Sequence, residues 1–345
     1  MHYLITGHTG FKGSWLSVVL EMQGHTVSGI SLAPSDKSLF NQAGISEIFA
    51  HDIRLDIRDR VGLKHAVETI NPEVIIHLAA QPLVRESYRI PVETFEVNVI
   101  GTLNVLEATR ELNNLKAALI ITTDKVYKNH NYLRGYVETD ELGGTDPYSA
   151  SKAAADIAVQ SWIKNFAKVP ITLARAGNVI GGGDWAVDRI IPDLVNAYSK
   201  LETPILRYPD AIRPWQHVLD CINGYLLLIN QQLEQGITGE WNFGPSIQDA
   251  HSVRELVEVF AKHWQVDFEP FQLVQSPVLA ESNYLLLDST KSRLNLGWTD
   301  ALDFENTVRW TVDFYKQTEV IPVLEVLKNQ ISDYLKIWNK SIEVN

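Results

Sequence analysis

Short apolar segments alternate with longer segments of helical periodicity over the first two-thirds of the chain. Each apolar segment is followed by polar residues or glycine, as buried strands are where they meet a turn. This alternation predicts an α/β fold in which helices cover both faces of a doubly wound parallel sheet. Strands are predicted at HYLIT, TVSGISL, EIFAHDI, EVIIHLA, AALIITT and ITLARA, and helices at residues 11–22, 58–69, 93–112 and 147–167.

The alternation stops near residue 180, where GNVIGGGDWAVDRIIPD (177–193) predicts a loop followed by a new helix. Further helices are predicted in 213–232 and 252–264, with a short strand at GEWNFGP (239–245) between them. We therefore expect the chain to leave the sheet here and build a second, smaller α/β lobe.

These patterns predict a sheet domain over residues 1–178 with return segments near 213–243, a lobe mainly over 179–317, and a helical extension over 318–345. Apolar side chains recur at helical spacing in the extension, which predicts that one face of this helix docks on the core. They are Val323, Leu327, Ile331, Tyr334 and Trp338.

The composition excludes several classes of protein. The formal net charge of −12 argues against nucleic acid and anionic membranes as partners, because both bind basic surfaces. The single cysteine, Cys221, cannot form an intrachain disulfide, and no Cys/His cluster predicts a metal site. The first residues lack the features of a signal peptide, and no segment approaches the ~20 apolar residues of a membrane span. We therefore expect a cytoplasmic protein that binds neither metal, membrane nor nucleic acid.

Three glycines, Gly7, Gly10 and Gly13, lie between the first predicted strand and the first predicted helix, with Phe11 among them. Glycine at such a turn lets the backbone approach a pyrophosphate, which then binds the free N–H groups of the helix N-terminus. The spacing is GxxGxxG rather than GxGxxG, so the dinucleotide fingerprint is met only approximately. Its position favours a cofactor site over a plain turn.

The adenosine end of such a cofactor is less clearly marked. Asp56 and Ile57 follow the third predicted strand and fit the adenine end, although a solvated loop is an alternative. A ribose-binding acid is expected near residue 31, but none occurs before Asp36. Because no arginine is found there to bind a 2′-phosphate either, NAD is favoured over NADP.

Tyr148 and Lys152 are four residues apart in DPYSASKAAAD, an alanine-rich segment that predicts a helix. This spacing places both side chains on one helix face. A lysine ammonium beside a phenol stabilises the phenolate and so lowers the tyrosine pKa toward that of a general base. A Tyr/Lys pair at this spacing occurs by chance in many helices. Because this pair follows a glycine-rich dinucleotide turn in the same chain, we interpret it as part of an active site.

The predicted strand KAALIITTDKVY ends on three chemically active residues in succession, Thr123, Asp124 and Lys125. Neighbours on a strand point to opposite faces, so Asp124 and Lys125 can share one site only if the chain turns there. A solvated strand end is the alternative.

Together, GxxGxxG and YSASK resemble the extended short-chain dehydrogenase/reductases, which have a Rossmann-type sheet and a smaller α/β substrate-binding lobe. The resemblance covers residues 1 to 316 and is strongest to the nucleotide-sugar 4,6-dehydratases. Segments that carry it include HLAAQPLVRES, EVNVIGTLNVLEA, RPWQHVLD and LLLDSTKSRLNLGW. GHTGFKGSWL, TTDKVY and GGGDWAVDRIIPD are most similar to the members of that group that act on CDP-glucose.

The resemblance implies an NAD-dependent lyase that oxidises a sugar at C4, eliminates water across C5 and C6, and returns the hydride to C6. Tyr148 would be the C4 base, Lys152 would tune it, and Thr123 would bind the C4 oxygen. Asp124 and Lys125 would be the acid and base at C6 and C5, with their order left open. Lys125 replaces the Glu common in dehydratases acting on other nucleotides, which favours CDP-glucose.

The resemblance also implies the groups that bind each ligand. Substrate-binding residues would be Ser87, Asn178, Arg189 and Arg213. Cofactor-binding residues would be Gly7, Gly10, Phe11, Gly13, Asp56, Ile57, Ala79, Ala80, Asn98, Tyr148 and Lys152. The expected partner is a nucleotide-sugar, and the expected assembly is a homodimer or homotetramer. Another 4,6-dehydratase, a 4-epimerase or a non-catalytic NAD-binding regulator are the competing interpretations.

Overall fold

A seven-stranded parallel sheet forms the centre of the protein, in a computed structural model that describes residues 1–273 and 284–344, the last four by backbone alone. The spatial order of its strands is β3-β2-β1-β4-β5-β6-β11, and every neighbouring pair is parallel. These strands are β1 His2–Thr6, β2 Thr26–Ser31, β3 Phe49–Arg54, β4 Val74–His77, β5 Ala117–Ile121, β6 Ile171–Ala176 and β11 Gly239–Phe243. The order reverses between β1 and β4, as in a doubly wound Rossmann-type sheet. The predicted fold class is confirmed.

Helices cover both faces of the sheet because apolar side chains alternate along its strands. Ile5 and Ile76 belong to a core on one face, whereas Leu4 and Ile75 belong to a separate core on the other. The helices are α1 Phe11–Met22, α2 Leu39–Gln42, α3 Arg60–Ile70, α4 Val84–Arg89, α5 Pro91–Phe95, α6 Thr102–Thr109, α7 Pro147–Phe166, α8 Ile190–Ser199, α9 Val218–Gln235, α10 Val253–Trp264, α11 Thr290–Leu296, α12 Phe304–Gln317 and α13 Val323–Val344.

Short strand pairs and helices follow the sixth strand. The strands are β7 Val179–Ile180, β8 Ile205–Leu206, β9 Ile212–Arg213, β10 Gln216–His217, β12 His251–Ser252 and β13 Gln272–Leu273. They form the pairs β7 with β10, β9 with β12, and β8 with β13. Residues 285–298, which carry part of the family resemblance, also return in part to the sheet, because α11 packs on β11.

Two predicted helices differ from the observed ones. The helix predicted over 93–112 is divided, because a π-helical turn, Glu96–Gly101, separates α5 from α6. The helix predicted from residue 213 begins only at Val218. Pro214 disfavours a helical conformation of Arg213, and residues 212–213 and 216–217 form short strands instead. The side chain of His217 then caps the helix by accepting the Leu219 N–H.

The C-terminal helix α13 docks on the core, as its apolar spacing predicts. Leu327, Ile331, Tyr334 and Trp338 are all at most 5% exposed. The helix contacts α1 and α12, and Lys328 pairs with Glu21 of α1 at 3.3 Å. This extension therefore supports the outer side of the helix that follows the glycine turn.

Candidate active site

The glycine turn forms a narrow cradle at the carboxyl end of β1. Gly7 has φ +78°, and a Cβ on it would lie 2.7 Å from the backbone nitrogen of Ala79, just beyond β4. A Cβ on Gly13 would lie 2.3 Å from the Gly7 carbonyl oxygen. Gly10 precedes α1 and offers no side chain to cap it, so the first N–H groups of the helix stay open. These residues fit the pyrophosphate of a dinucleotide.

The end of β2, where an adenosine ribose would lie, carries hydroxyl groups. Thr9 and Ser31 are hydrogen-bonded at 2.7 Å. Arg54 lies opposite Ser31 in the register of β2 and β3, where its guanidinium contacts Asp52 and lies 3.1 Å from His8. The expectation that no arginine lies near this position is therefore wrong, because strand register brings in a residue distant in sequence.

The predicted adenine-end residues lie beyond β3. The Asp56 carboxylate accepts a 2.7 Å hydrogen bond from Arg58, which holds the pKa of that carboxyl below its usual value. Ile57 is buried, and its carbonyl accepts a hydrogen bond from Asn104. Ala79 and Ala80 follow β4 and are half-buried, and Phe11 packs partly into the core at the start of α1.

The chain turns where the fifth strand ends. Residues 124–126 form a 3₁₀ turn, and the Thr123 hydroxyl accepts a hydrogen bond from the Lys125 N–H. The same hydroxyl donates to Oδ1 of Asp124 at 2.8 Å. Asp124 is buried and Lys125 is half-buried. The turn required for the two residues to share one site is present.

Tyr148 is held at the start of α7 by two polar groups. Asp146 caps the helix by accepting the Ser149 N–H, and the buried Ser87 hydroxyl accepts the Tyr148 N–H at 3.1 Å. Desolvation raises the pKa of the Tyr148 phenol to about 12, while a hydrogen bond with Thr123 and the charge of Arg189 act in the opposite direction. Tyr148, Thr123 and Asp124 therefore interact with one another at the carboxyl end of β5.

Lys152 is buried one helical turn after Tyr148, and its ammonium donates to the carbonyl of Ile121 at 3.0 Å. Burial lowers the pKa of Lys152 to about 8, Asp156 raises it, and Lys12 lowers it further. The positive charge of Arg189 acts on the Tyr148 phenol, while the Lys152 ammonium is bonded to the carbonyl at the end of β5.

Ser87 and Asn98 bond to the protein scaffold. The Ser87 hydroxyl donates to the carbonyl of Val84 at 2.6 Å. The Asn98 side chain lies in the π-helical turn, accepts the Gln81 N–H at 2.8 Å and donates to the Ser151 hydroxyl at 2.8 Å. Asn98 thus joins the loop after β4 to the helix that carries Tyr148 and Lys152.

The other three predicted substrate-binding residues all follow β6 in the chain. Asn178 has φ +47° and its amide donates to Oδ2 of Asp124 at 3.4 Å. Arg189 pairs with Asp184 at 2.8 Å. Arg213 is 9% exposed on β9 and donates to the carbonyl of Ile212. Asn178 and Arg189 therefore belong to the surroundings of Asp124 and Tyr148, respectively.

One family model, described as GDP-mannose 4,6 dehydratase, matches residues 4–311. The match includes the glycine cradle, the turn after β5, and the Tyr148 and Lys152 pair. The chain belongs to the GDP-mannose 4,6 dehydratase family. Helix α13 lies beyond the matched segment.

One relative and two solved structures illustrate the likeness. CDP-glucose 4,6-dehydratase from Salmonella typhimurium is 39% identical over 343 residues, which cover 96% of this chain and 95% of that protein. UDP-glucose 4-epimerase from Stenotrophomonas maltophila, solved with NAD and formylated UDP-arabinopyranose, has a TM-score of 0.82 at 23% identity and covers 92% of this chain and 99% of its own. dTDP-glucose 4,6-dehydratase from Bacillus anthracis, solved with NAD, has a TM-score of 0.79 at 22% identity over 92% and 97%. The two structures support the fold.

A buried polar chain that sequence reasoning missed lies beneath the site of this dehydratase-family member. Thr102 donates its hydroxyl proton to the carbonyl of Asn98, so it accepts from Nε2–H of His77 at 2.9 Å. Nδ1 of His77 then accepts from the Thr6 hydroxyl at 2.6 Å. Burial lowers the pKa of His77 to about 3 and keeps the ring neutral. A histidine at the end of a predicted strand, in HLAA, was the available signal.

Neither a metal cluster nor a membrane span was found in the described part of the chain. Within residues 1–273 and 284–344, no group of three or more potential ligands among His, Cys, Asp and Glu lies close enough to hold an ion. Among the helices that the structure describes, none combines the length and apolar character needed to cross a bilayer.

Proposed function

We propose that this chain is a CDP-glucose 4,6-dehydratase, which converts CDP-glucose to CDP-4-keto-6-deoxyglucose. One observation carries the proposal: Thr123, Asp124 and Lys125 share a turn beside Tyr148. A 4-epimerase needs a base at C4 but has no use for an acid and a base at C5 and C6. The 39% identity to the Salmonella enzyme over nearly the whole chain supports CDP-glucose as substrate.

NAD is the proposed cofactor. The turn of Gly7 and Gly13 leaves room for a pyrophosphate that a Cβ would fill, and two structures of the same fold contain NAD. When bound, the cofactor accepts a hydride from C4 of the sugar and later returns it to C6. Asp56, Ile57, Ala79 and Ala80 would contact its adenosine and ribose portions.

Tyr148 acts first, as the base that takes the C4 hydroxyl proton. Its phenol must lose a proton to do so, and Arg189 favours the phenolate, as a positively charged nicotinamide would. The Thr123 hydroxyl holds the C4 oxygen in reach of Tyr148. The Lys152 ammonium is shared between the Ile121 carbonyl and the nicotinamide ribose. It adds a second positive charge beside the Tyr148 phenol.

Elimination follows, because a ketone at C4 acidifies the C5–H bond. Lys125 takes the C5 proton, and the C5–H electron pair forms the new double bond. Asp124 gives its proton to the departing C6 oxygen, so the C6–O bond breaks with release of water. Return of the hydride to C6 and of a proton from Lys125 to C5 completes the product, and no external oxidant or reductant is consumed.

Cations on the second lobe suit the diphosphate of the substrate. We assign Arg213 and Arg189 to this role, with Asn178 and Ser87 near the sugar. The lobe built mainly from residues 179–317 is thus the proposed substrate domain, and residues 1–178 the proposed cofactor domain. Both remain linked through β11, which returns to the sheet.

A homodimer or homotetramer is the proposed assembly. Helices α5 and α7 and the π-helical turn are packed side by side, and their outer surfaces expose apolar residues. Val92 is 72%, Ile100 51%, Ile157 55% and Phe166 48% exposed. Exposed apolar side chains on neighbouring helices favour association with a second copy. With Cys221 as its only cysteine, the protein suits a reducing cytoplasm.

One assay tests the function. The purified protein is incubated in deuterated water with NAD and one nucleotide-sugar at a time. The nucleotide-sugars are the CDP, dTDP, GDP and UDP derivatives of glucose or mannose. We expect a 4-keto-6-deoxy product with deuterium at C5 from CDP-glucose in preference to the other sugars. Epimerised sugar that keeps its C6 hydroxyl would show a 4-epimerase, and NAD binding without turnover would show a regulator.

A further inference from the structure

The Asp124 carboxyl lies in a space that exists only because residue 177 is glycine. Gly177 directly follows β6, the strand next to β5. A Cβ on Gly177 would lie 2.0 Å from Oδ2, 2.1 Å from Cγ and 2.5 Å from Oδ1 of Asp124. These separations are far below van der Waals contact, so any side chain at 177 must displace the carboxyl group.

Asn178 holds the same carboxyl group from the next position along the chain. Its backbone is left-handed, at φ +47°, and its amide donates to Oδ2 of Asp124 at 3.4 Å. Its carbonyl accepts the Gln216 N–H at 3.3 Å, which ties the residue to the short strand β10. On the opposite side, the Thr123 hydroxyl donates to Oδ1 at 2.8 Å.

We propose that Gly177 and Asn178 are positioning residues for Asp124: the absent side chain and the amide together place its carboxyl for proton transfer to the leaving C6 oxygen. This inference rests on the proposed dehydratase function and assigns it two further residues. The position of the Asp124 carboxyl group therefore depends on the two residues that follow β6, as well as on Asp124 itself. The C4 step depends on Tyr148 instead, so displacing the carboxyl separates the two halves of the reaction.

The chain offers a matched control for a glycine-to-alanine change. Gly244 directly follows β11, the other neighbour of β6, and is buried as Gly177 is. A Cβ on Gly244 would meet its nearest atom, Cβ of Leu287, at 3.4 Å, which is ordinary contact. Gly177→Ala and Gly244→Ala therefore make the same chemical change with and without a collision at Asp124.

Each variant is mixed with NAD and CDP-glucose, and two signals are followed: absorbance of the reduced nicotinamide and formation of 4-keto-6-deoxy product. For Gly177→Ala we expect product formation to fall by about 10- to 100-fold while reduced nicotinamide accumulates, because misplacement of about 1 Å costs up to ~10²-fold. Asp124→Asn should show the same accumulation. Gly244→Ala should stay within about 2-fold of the unmodified protein.

Asn178→Ala tests the second half of the inference. Asn178→Ala should slow product formation and cause reduced nicotinamide to accumulate. Asn178→Gln should not restore product formation, since the longer side chain places its amide elsewhere. A raised KM for CDP-glucose with unchanged kcat would overturn the positioning role and leave Asn178 only the substrate-binding role proposed above.

The outcomes are distinguishable. The inference would be overturned if Gly177→Ala turned over CDP-glucose as fast as Gly244→Ala. It would also be overturned if Gly177→Ala, with unchanged thermal unfolding and NAD binding, lost both the reduced-nicotinamide signal and the product. If the unmodified protein yields neither signal from CDP-glucose, the proposed function itself is wrong.

Discussion

Desolvation acts in opposite directions on the two central side chains, Tyr148 and Lys152. It raises the pKa of the phenol to about 12 and lowers that of the ammonium to about 8, so each is pushed toward its neutral form. A neutral phenol is a poor base. A nearby positive charge, such as that of Arg189 or of the nicotinamide of the proposed cofactor, shifts the phenol toward the phenolate. We therefore expect the proposed base catalysis by Tyr148 to require bound cofactor.

Removing the Tyr148 hydroxyl tests this conclusion. Tyr148→Phe should lower turnover of CDP-glucose by about 10²–10⁴-fold, the usual contribution of a general base. NAD binding and thermal stability should change little, because the backbone contact of Tyr148 with Ser87 remains. Tyr198→Phe is the control: its hydroxyl donates to the Pro270 carbonyl outside the site. Turnover that survives in Tyr148→Phe would exclude Tyr148 as the C4 base.

Among the elements, α7 and β6 are joined by a fully buried ion pair. Arg175 contacts both carboxylate oxygens of Asp156 at 2.9 and 2.7 Å, and both side chains are 0% exposed. Arg175 also donates to the Tyr127 hydroxyl at 2.9 Å. Asp156 lies one helical turn beyond Lys152 and raises the pKa of the Lys152 ammonium. The ion pair that joins α7 to β6 therefore also affects the charge of Lys152.

Arg175→Met should lower the free energy of unfolding by about 3–5 kcal/mol, because the Asp156 charge stays buried without its partner. Chemical denaturation measures the change. Arg89→Met provides the comparison, since the Arg89 side chain is 78% exposed and pairs with Glu86 on its own helix. Its loss should cost less than about 1 kcal/mol. Equal effects of the two substitutions would contradict the role given to burial.

Helices α9 and α13 meet at a second buried carboxyl group, Asp220. Its Oδ1 accepts the Tyr334 hydroxyl at 2.8 Å and the Ala301 N–H at 2.7 Å, and burial raises its pKa from 3.8 to about 7. Between these values the folded protein keeps a proton that the unfolded chain has lost. The free energy of unfolding contributed by Asp220 therefore falls as pH rises from about 4 to 7.

Asp220→Asn removes this titration while keeping an oxygen acceptor for Tyr334 and Ala301. Its stability relative to the unmodified protein should improve as pH rises from 4 to 7, by on the order of 4 kcal/mol across the window, and then level off. Denaturation at a series of pH values checks this. Asp210→Asn, at a side chain 84% exposed, should show no such trend. Parallel stability curves for Asp220→Asn and the unmodified protein would contradict the assignment.

At the scale of the whole molecule, the central question is what covers the apolar surface of α5, the π-helical turn and α7. The same elements carry Tyr148, Lys152 and Asn98 on their inner side. Association through their outer side would therefore brace the site from behind. The net charge of −12 opposes close approach of two copies, so apolar contact must supply the attraction.

A double substitution, Ile100→Glu with Ile157→Glu, should convert the assembly to monomers in sedimentation-velocity experiments, because two charges would be buried at the interface. Circular dichroism should stay unchanged, since both side chains are more than half exposed in the single chain. Leu294→Glu, at a position 78% exposed on α11, should leave the assembly intact. A monomer before any substitution would exclude the proposed homodimer and homotetramer.

Local sequence determined the parts of this protein that depend on near neighbours: strand–helix alternation, the glycine cradle, the Tyr148–Lys152 spacing, and the apolar stripe of α13. Only the tertiary structure decided that Arg54 lies opposite Ser31, that Lys152 bonds to the Ile121 carbonyl, and that Gly177 makes room for Asp124. Those contacts join different strands and helices. A periodic pattern states which face of an element is buried, whereas register and packing against other elements determine what that face meets.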